Sequence, residues 1–374
     1  MRLLFILLIA CLSSCSEKRK SSELLMINLD EISYEPMDIS AVADSVIYIQ
    51  FDNSFILPGF VSLYWADSCF FANTREGVLK YDIKGCFLQK IGGLGDGPKE
   101  YPRYSYRCIM DKSNEVIYIY VYSEQKLLSY SFTGKFIKSV QVELPDYVKI
   151  YFPSFAYMQD DLIYFYYDNN MGKSGKRPYY WLSIKKDGTF VESYKGYKEI
   201  VEKYAGIYGI FYAAMNDSTV VYYDLFEDSI YHVTPHRSYA AYLWGQGNFR
   251  LLENDPFPTP PVERRICTHF FDTKNFFLFQ VTNFNRQPDN VNFFVYYDKK
   301  NGEFAKIQKE ELLFDERINV PLFPRSLIQI DGREYFICQT NTAALLNIPE
   351  AIPWGMDEDD LEGNPVLVLV RLKE

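Results

Sequence analysis

Three histidines supply all the imidazole in this chain: His232, His236 and His269. His232 and His236 are four residues apart, but Pro235 lies between them, so they flank a turn instead of sharing a helix face. A zinc site needs further ligands, and none is evident nearby. A nucleophile elbow needs a Gly-x-Ser-x-Gly motif, which the sequence lacks. We therefore expect structural or surface roles for the histidines.

A short acidic run, Asp357 to Asp360, is the best candidate for holding a cation. It lacks the glycine and the terminal glutamate spacing of a calcium-binding EF-hand loop. We expect a solvated loop, with calcium as the cofactor that it could hold. No other cofactor is indicated, and no pair of carboxylates is marked out for glycoside chemistry.

A glycine-rich segment spans residues 91–101 with the sequence I-G-G-L-G-D-G-P-K-E-Y. No Lys-Ser/Thr pair and no helical pattern follow, so neither a phosphate loop nor a dinucleotide motif fits. We predict a structural loop in which the glycines permit tight turns, Pro98 fixes the chain direction, Glu100 caps backbone N–H groups and Tyr101 packs as an anchor. Its key residues are Gly92, Gly95, Gly97, Pro98, Glu100 and Tyr101.

Four residues with binding chemistry lie on predicted loops next to aromatic neighbours: Arg103, Tyr104, Arg264 and Arg265. Guanidinium groups bind carboxylates and phosphates, and aromatic rings pack on apolar ligand surfaces. These residues could bind sugars or an anionic ligand. The alternative is that they are ordinary loop residues.

The N-terminus carries an export signal. An apolar run over Leu3 to Leu12 is too short to span a membrane but suits a signal peptide. It ends in Leu-Ser-Ser-Cys, which looks like a bacterial lipobox with Cys15 as the lipidated residue. The alternative is an ordinary cleaved signal with an incidental cysteine. Lys18-Arg19-Lys20 follows the cysteine, which favours the periplasm over the cell surface.

Composition favours β structure and argues against nucleic acid. The chain has 32 Tyr and 29 Phe, which fit half-buried pleated surfaces, and its net charge of −10 would repel phosphates. Cys69 and Cys86 form one conceivable disulfide, and the alternative is that the cysteines are buried small hydrophobes. The five cysteines beyond Cys15 are Cys69, Cys86, Cys108, Cys267 and Cys338.

A recurring unit of three apolar strands predicts the fold. Many copies have a glycine turn between the last two strands, as at Lys84-Gly85 and Thr133-Gly134, which is typical of a hairpin. Such a meander must stack against others to bury its faces, and radial closure then protects the sheet edges. The six copies begin at Cys69, Val116, Leu162, Thr219, Phe276 and Glu334.

The sixth copy lacks its outer strand, and an unpaired β-like run at Ser45 to Phe51 precedes the first copy. We predict that this run joins the last blade and closes the ring. The result is an all-β, six-bladed β-propeller with blades of about four antiparallel strands. Residues 1–14 form the signal peptide, 15–40 a tether and lead-in, and 41–374 the propeller. Short helical turns are expected within 195–205 and 342–351.

The glycine-rich segment also resembles a known family. The pattern of residues 85–101, the run Tyr48-Ile49-Gln50-Phe51 and the ending Gly363 to Lys373 are similar to the six-bladed β-propeller lipoproteins of Bacteroides and relatives, which are distantly similar to NHL-repeat propellers. Gly93 and Lys99 depart from the family pattern. The resemblance implies a fold and an envelope location, but no established reaction.

Two functions from different classes follow. The first is a non-catalytic envelope module, bound to the membrane by its lipid, that binds a glycan, a peptide or an envelope protein. The second is an envelope enzyme, such as a glycan hydrolase or lyase, with its site in the central channel. A propeller fold hosts both classes.

Overall fold

The structure is a computed structural model. It describes residues 24–57, 62–66, 68–145, 153–167, 181–194, 211–216, 219–234, 237–252, 254–256, 260–283, 291–345 and 363–374. The lipobox, His236 and the acidic run 357–360 lie outside these residues, as does the predicted helical turn at 195–205.

The N-terminal segment contributes three strands that pair with strands from much later in the chain. They are β1 (Leu25–Ile27), β2 (Met37–Asp38) and β3 (Ala43–Gln50). A 3-10 turn at Leu29–Glu31 and helix α1 (Ile39–Val42) connect them. Asn28 and Asp38 accept backbone N–H groups at the two helical N-termini, as N-cap residues do. Strands β1 and β2 lie within residues 15–40, the range that we predicted to be a tether and lead-in.

The first half of the ring contains three antiparallel sheets of four strands. Sheet 1 consists of β4 (Ser62–Ala66), β5 (Cys69–Thr74), β6 (Gly77–Asp82) and β7 (Phe87–Ile91). A small parallel pair follows, β8 (Gly93–Leu94) and β9 (Glu100–Tyr101). Sheet 2 consists of β10 (Tyr106–Asp111), β11 (Val116–Val121), β12 (Lys126–Ser131) and β13 (Phe136–Gln141). Sheet 3 consists of β14 (Phe155–Gln159), β15 (Leu162–Tyr166), β16 (Trp181–Lys185) and β17 (Phe190–Tyr194).

The second half contains four more sheets. Sheet 4 consists of β18 (Phe211–Asn216), β19 (Thr219–Asp224), β20 (Ser229–Thr234) and β21 (Arg237–Trp244), with β1 added in parallel to β21. A 3-10 turn at Gly245–Gly247 follows. Sheet 5 consists of β22 (Arg265–Asp272), β23 (Phe276–Asn283), β24 (Asn292–Asp298) and β25 (Phe304–Gln308).

After a 3-10 turn at Lys309–Glu311, sheet 6 is built from β26 (Leu312–Asp315), β27 (Val320–Pro321) and the N-terminal β2. Sheet 7 consists of β28 (Ser326–Ile330), β29 (Arg333–Thr340), β30 (Val366–Leu372) and the N-terminal β3. Helix α2 (Thr342–Leu345) follows β29, within the predicted 342–351 region.

The fold is an all-β β-propeller, as predicted, but the predicted number of blades is wrong. The described residues form seven sheets of three or more strands, so the propeller has seven blades when each such sheet is counted, not six. The additional one is sheet 6. Its strands of two to four residues carry no apolar run of repeat length, so the sequence pattern passed over them.

The six units of the sequence begin at the second strands of sheets 1, 2, 3, 4, 5 and 7. Second strands such as Val116–Val121 and Thr219–Asp224 are buried almost throughout because both of their faces pack against neighbouring sheets. The first strands, such as Phe155–Gln159, are more exposed and more polar. Their weaker apolar signal explains why the repeat pattern missed them.

Buried apolar clusters join each sheet to the next. The cluster between sheets 1 and 2 includes Phe71, Ile117 and Leu128. Another joins sheet 7 to sheet 1 through Phe51, Phe70, Tyr81 and Ile337, although these sheets stand at opposite ends of the chain. Burial of this apolar surface between sheets is the main favourable contribution to folding.

The turn before each outer strand is built in one way in sheets 1, 2 and 3. The glycine lies at positive φ (Gly85 +88°, Gly134 +75°, Gly188 +90°), and a bulge interrupts the register just before the turn. A Cβ on Gly85 would overlap the carbonyl oxygen of Gln50, and one on Gly188 would overlap that of Gln141. These glycines therefore let each turn touch the outer strand of the preceding sheet, and β3 provides that strand for sheet 1.

Strand β3 pairs antiparallel with β30 from Ala43 opposite Leu372 to Gln50 opposite Val366. Just beyond this pair, Asn364 is buried and connects both chain ends. Its Nδ2 donates to the carbonyl oxygens of Asp52 (2.6 Å) and Phe55 (2.7 Å), and its Oδ1 accepts from the N–H of Leu57 at 2.7 Å. One side chain thus satisfies three backbone groups of the segment that leads from β3 to sheet 1.

A buried ion pair links sheets 2 and 3. Lys186 Nζ lies 2.8 Å from Asp111 Oδ2 and 2.7 Å from Asp161 Oδ1. The Asp111 side chain is 2% exposed and that of Asp161 is 84% exposed. Burial raises the pKa of Asp111, but hydrogen bonds from Lys186, Ser113 and Asn114 outweigh it, so the pKa lies below its usual range.

Two further expectations are settled in the described residues. Cys69 and Cys86 are both free, so the conceivable disulfide between them is absent. Cys69, Cys108, Cys267 and Cys338 are buried, as small hydrophobes are, and Cys86 is exposed. Within the same part of the chain, no helix is long and apolar enough to cross a membrane.

The contact between the sheet 1 turn and β3 can be tested with a matched pair of glycine substitutions. Gly85→Ala and Gly302→Ala both place a Cβ at positive φ, which costs about 1–2 kcal/mol. Gly302 has open space around it, whereas Gly85 lies against Gln50. We expect Gly85→Ala to lower the free energy of unfolding by about 1–3 kcal/mol more than Gly302→Ala. Urea denaturation measures both, and equal losses would contradict the contact.

The ion pair predicts a pH-dependent contribution to stability. Asp111→Asn leaves Lys186 without its buried partner and should cost about 1–3 kcal/mol at pH 7. Asp161→Asn removes an exposed partner of the same lysine and should cost less than about 1 kcal/mol. Because the folded pKa of Asp111 is depressed, its contribution is present above about pH 4, the unfolded value, and is lost as the pH falls below it. Urea midpoints at pH 7 and about pH 3 check this, and a pH-independent difference would refute it.

Candidate functional site

The glycine-rich segment forms a closed loop held by its own residues. Strands β8 and β9 pair in parallel, and the N–H of Gly95 donates to the carbonyl oxygen of Tyr101 at 3.0 Å. Glu100 Oε2 accepts the N–H of Gly97 at 3.0 Å. The buried Tyr101 hydroxyl donates to the Ile91 carbonyl oxygen at 2.7 Å and accepts the N–H of Val78 at 3.0 Å.

Three glycines of this loop, Gly92, Gly95 and Gly97, lie close against neighbouring side chains. A Cβ on Gly92 would come within 2.7 Å of the Tyr130 ring, and one on Gly95 would overlap the Glu100 carboxylate. The Tyr130 hydroxyl also donates to the carbonyl oxygen of Lys99 at 2.6 Å. The loop carries a carboxylate at the position where a phosphate loop would present N–H groups, so its geometry is that of a structural connection between sheets 1 and 2.

Arg103 and Tyr104 follow this loop and are exposed. Arg103 Nη2 lies 3.9 Å from Glu76 Oε1, with 55% and 43% of the two side chains exposed, so this pair contributes little stability. The Tyr104 side chain is 63% exposed. Both residues lie just before sheet 2, whereas Arg264 lies just before sheet 5 and Arg265 begins its first strand.

Arg264 holds a loop together. Its Nε and Nη2 donate to the two carboxylate oxygens of Asp255 at 2.7 and 3.1 Å, and its Nη1 donates to the carbonyl oxygen of Asn248 at 2.8 Å. Both side chains of the ion pair are nearly buried. This two-pronged pairing is a strong structural contact and leaves the guanidinium little capacity for a ligand.

Arg265 is placed differently. It begins β22, and its Nη1 donates to the carbonyl oxygens of Val262 and Arg264. Burial lowers the pKa of this guanidinium, against the effect of the Glu263 charge. No carboxylate of the described residues lies within ion-pair distance of it. Arg265 is thus a half-buried cation without a salt bridge in the described part of the chain.

A cavity of about 460 Å³ opens beside Arg265, between the N-terminal segment and sheet 5. Its size lies within the range of small-molecule sites. On one wall, the Tyr34 and Phe293 rings meet edge to face at 5.9 Å. Lys306 Nζ lies 5.3 Å from the Tyr34 ring centre and 5.6 Å from that of Phe293. The remaining lining residues are Leu29, Asp30, Phe249, Val281, Val291, Asn292 and Gln308.

A second cavity of about 430 Å³ lies on the other side of the same segment. Its charged lining residues are all carboxylates: Glu35, Asp298 and Glu303. The wall between the two cavities is fixed by main-chain contacts. The N–H of Glu35 donates to the carbonyl oxygen of Lys306, and the N–H of Lys306 donates to that of Ser33, each at 2.8 Å. The N-terminal segment therefore separates a basic cavity from an acidic one.

His232 belongs to a buried network between sheets 4 and 5. Its Nε2 lies 3.0 Å from Asp272 Oδ2, and its Nδ1 lies 3.3 Å from the Tyr239 hydroxyl. Lys299 Nζ approaches the other carboxylate oxygen at 2.6 Å. Burial raises the pKa of Asp272, but His232 and Lys299 outweigh it, so the pKa is below its usual range. The network joins two sheets and is compact enough to be structural.

His269 lies at a bulge in β22, with φ at +51°. Its Nδ1 is 3.1 Å from the Thr268 hydroxyl, and Thr268 and Asn292 bind the two ends of the Gln280 amide at 3.1 and 2.6 Å. Burial lowers the pKa of His269, and the charges of Arg325 and Lys309 act in the same direction. In the described residues, no group of three or more His, Cys, Asp or Glu side chains is arranged to hold a metal ion.

Residues 24–371 match the protein family described as "Domain of unknown function (DUF4934)". The chain belongs to this family. A search of curated proteins finds no match. The DUF4934 propeller is also similar to solved structures at low sequence identity, and such a likeness shows the fold alone.

One similar structure is an exported protein from Bacteroides fragilis, with a TM-score of 0.63 and 14% identity, covering 94% of this chain and 100% of that chain. A second is a member of the DUF4221 family from Bacteroides vulgatus, with a TM-score of 0.46 and 15% identity, covering 89% of this chain and 97% of that chain. The first supports the propeller fold of the DUF4934 chain.

The sequence singled out Arg265 but missed the rest of its cavity. Tyr34 and Lys306 are far apart in the chain and meet because the N-terminal segment crosses β25. Tyr34 lies in the polar lead-in that we assigned to a tether. The aromatic Tyr34 was the one sequence signal that this segment packs on the fold, because a solvated tether gains no stability from an aromatic side chain.

Proposed function

We propose that the DUF4934 chain is a lipid-anchored binding module of the bacterial cell envelope, and that its ligand occupies the cavity beside Arg265. The observation that carries this proposal is the pair of cations, Arg265 and Lys306, on a cavity with aromatic walls. Neither cation has an ion-pair partner among the described residues. A partly buried charge without an ion-pair partner costs free energy unless other contacts compensate it, and an anionic ligand in the cavity would do so.

The envelope location is supported by two observations of different kind. The apolar run and the Leu-Ser-Ser-Cys sequence match a lipoprotein signal. The similar structure from Bacteroides fragilis is that of an exported protein. Lipidation at Cys15 and the periplasmic side, favoured by Lys18-Arg19-Lys20, are parts of the proposal.

The proposal also gives the N-terminal strand its role. We propose that β3 closes the ring by serving as the outer strand of sheet 7, because it pairs with β30 and touches the turn of sheet 1. The same segment then continues to the cavity wall at Tyr34 and to β1. Ring closure, cavity and anchor are thus carried by one stretch of chain.

The binding function is tested by thermal shift with the full-length Cys15→Ala protein against glycans, peptides, peptidoglycan fragments and calcium. A ligand at a hundredfold excess over its Kd should raise the stability by about 2.7 kcal/mol. Lys306→Met should remove the shift because it deletes a cation of the cavity, while Lys300→Met changes an exposed lysine outside it and should leave the shift intact.

Product analysis of each stabilising ligand distinguishes the two functional classes. Unchanged ligand after prolonged incubation supports a binding module. Turnover would assign the chain to the envelope enzymes instead. A shift that survives Lys306→Met would place the site elsewhere and contradict the proposed cavity.

The anchor makes a separate prediction. Cys15→Ala should move the protein from the membrane fraction to the soluble fraction of the native host, because a lipidated cysteine supplies the acyl chains that hold it. Cys86→Ala is the matched control, since it removes an exposed cysteine elsewhere. Cell fractionation and metabolic labelling with a palmitate analogue measure this. Continued labelling of Cys15→Ala would refute the assignment.

A further inference from the structure

We infer that the ligand of the Arg265 cavity is a glycan that carries an oxyanion group, a carboxylate or a sulfate, on a sugar ring. This inference rests on the proposed function and names the ligand class for the same cavity. It follows from the charges, the hydrogen-bonding groups and the rings that line the site.

The charge of the cavity favours an anion. Arg265 and Lys306 contribute two cations, and Asp30 contributes the one carboxylate of the lining. Arg265 spends its Nη1 on two backbone oxygens, which leaves Nε and Nη2 without a hydrogen bond to the described residues. Those two nitrogens form one edge of the guanidinium, which is the geometry that binds both oxygens of a carboxylate or sulfate.

The uncharged polar groups add donors. Asn292 Oδ1 already accepts from the Gln280 amide at 2.6 Å, so the Asn292 amide nitrogen is the end available to the cavity. Gln308 is exposed at the rim. Together with the cations, these groups make the lining rich in N–H donors, which suits a ligand rich in oxygen acceptors.

The rings and the acid distinguish a sugar from other anions. Tyr34 is 51% exposed and, with the half-buried Phe249, offers aromatic surface on which the C–H face of a sugar ring can pack. The Asp30 carboxylate can accept hydrogen bonds from the hydroxyl groups of a sugar. A fatty acid does not carry such a set of hydroxyl groups. A ligand with one anionic group and several hydroxyl groups uses every kind of group in the lining.

The test is isothermal titration of the full-length Cys15→Ala protein with three matched probes: an oligogalacturonate, a sulfated galactan oligosaccharide and a neutral galactan oligosaccharide. We expect the affinity of whichever acidic probe binds to be at least about tenfold higher than that of the neutral probe. The reason is that hydrogen bonds between charged groups contribute more free energy than hydrogen bonds between neutral groups. The uronate and sulfate arms show which oxyanion the cavity takes. Added salt should lower the affinity for the acidic probe and leave the affinity for the neutral probe unchanged.

Variants locate the binding. Arg265→Gln and Lys306→Met should each weaken binding of the acidic probe about tenfold or more. Lys300→Met changes an exposed lysine outside the cavity and should leave the affinity unchanged. Two variants on different strands are used because Arg265 also supports the Val262 carbonyl group. Circular dichroism melting confirms that each one is folded.

The outcomes distinguish failure of the glycan inference from failure of the proposed binding function. Preference for an acidic probe that both cavity variants abolish supports the inference. Equal binding of neutral and acidic probes that Lys306→Met abolishes overturns the inference and leaves the binding function standing. Binding of a peptide in place of every glycan, again lost in Lys306→Met, does the same. Ligand binding that neither variant changes overturns both.

Discussion

The pairing of the two chain ends is the interaction on which this propeller depends. Each sheet buries apolar side chains against the next sheet. Sheets 7 and 1 bury theirs against each other because strands from the two terminal parts of the chain lie side by side. Strand β3 lies along β30 over its whole length, and Asn364 ties the following segment to the same place through three hydrogen bonds from one side chain. The cluster around Phe51 and Phe70 then fills the space between the two sheets. This arrangement explains why the polar Asn364 side chain is buried and makes three hydrogen bonds.

Much of the fold could be predicted because its signals are local. Apolar runs such as Val116–Val121 and glycine turns such as Lys84-Gly85 are contained within a few residues, and they gave the propeller and most outer strands. The first strands gave a weaker signal because they are more polar, and β22 is broken by a bulge at Thr268. Sheet 6 could not be predicted, since its strands are very short and one of them comes from the N-terminus. Local pattern has no information about such distant partners.

The candidate site also contains some residues that could be predicted from the sequence and others that could not. Arg265 was recognised from its charge and its place on a predicted loop next to aromatic neighbours, but so was Arg264, which binds Asp255 in the fold. Two adjacent arginines with identical sequence features therefore have different surroundings, and the difference lies in which direction each side chain takes from the start of β22. Lys306 gave no sequence signal because its importance comes from the Tyr34 and Phe293 rings beside it. Binding chemistry could be proposed from residue types, but the cavity depends on the crossing of the N-terminal segment over β25.

The N-terminal segment pairs with strands that are far away in the sequence. Asp44 on β3 and Arg371 on β30 form an ion pair although they are 327 residues apart in the sequence. The early strand β3 can therefore pair only after the late strand β30 has been synthesised. Contacts of such long sequence separation form late because the loop must be closed before they give any stabilisation. Until then the outer edges of β21, β25 and β30 are unpaired, and unpaired strand edges join readily with other chains. The N-terminal segment therefore protects three strand edges from pairing with other chains.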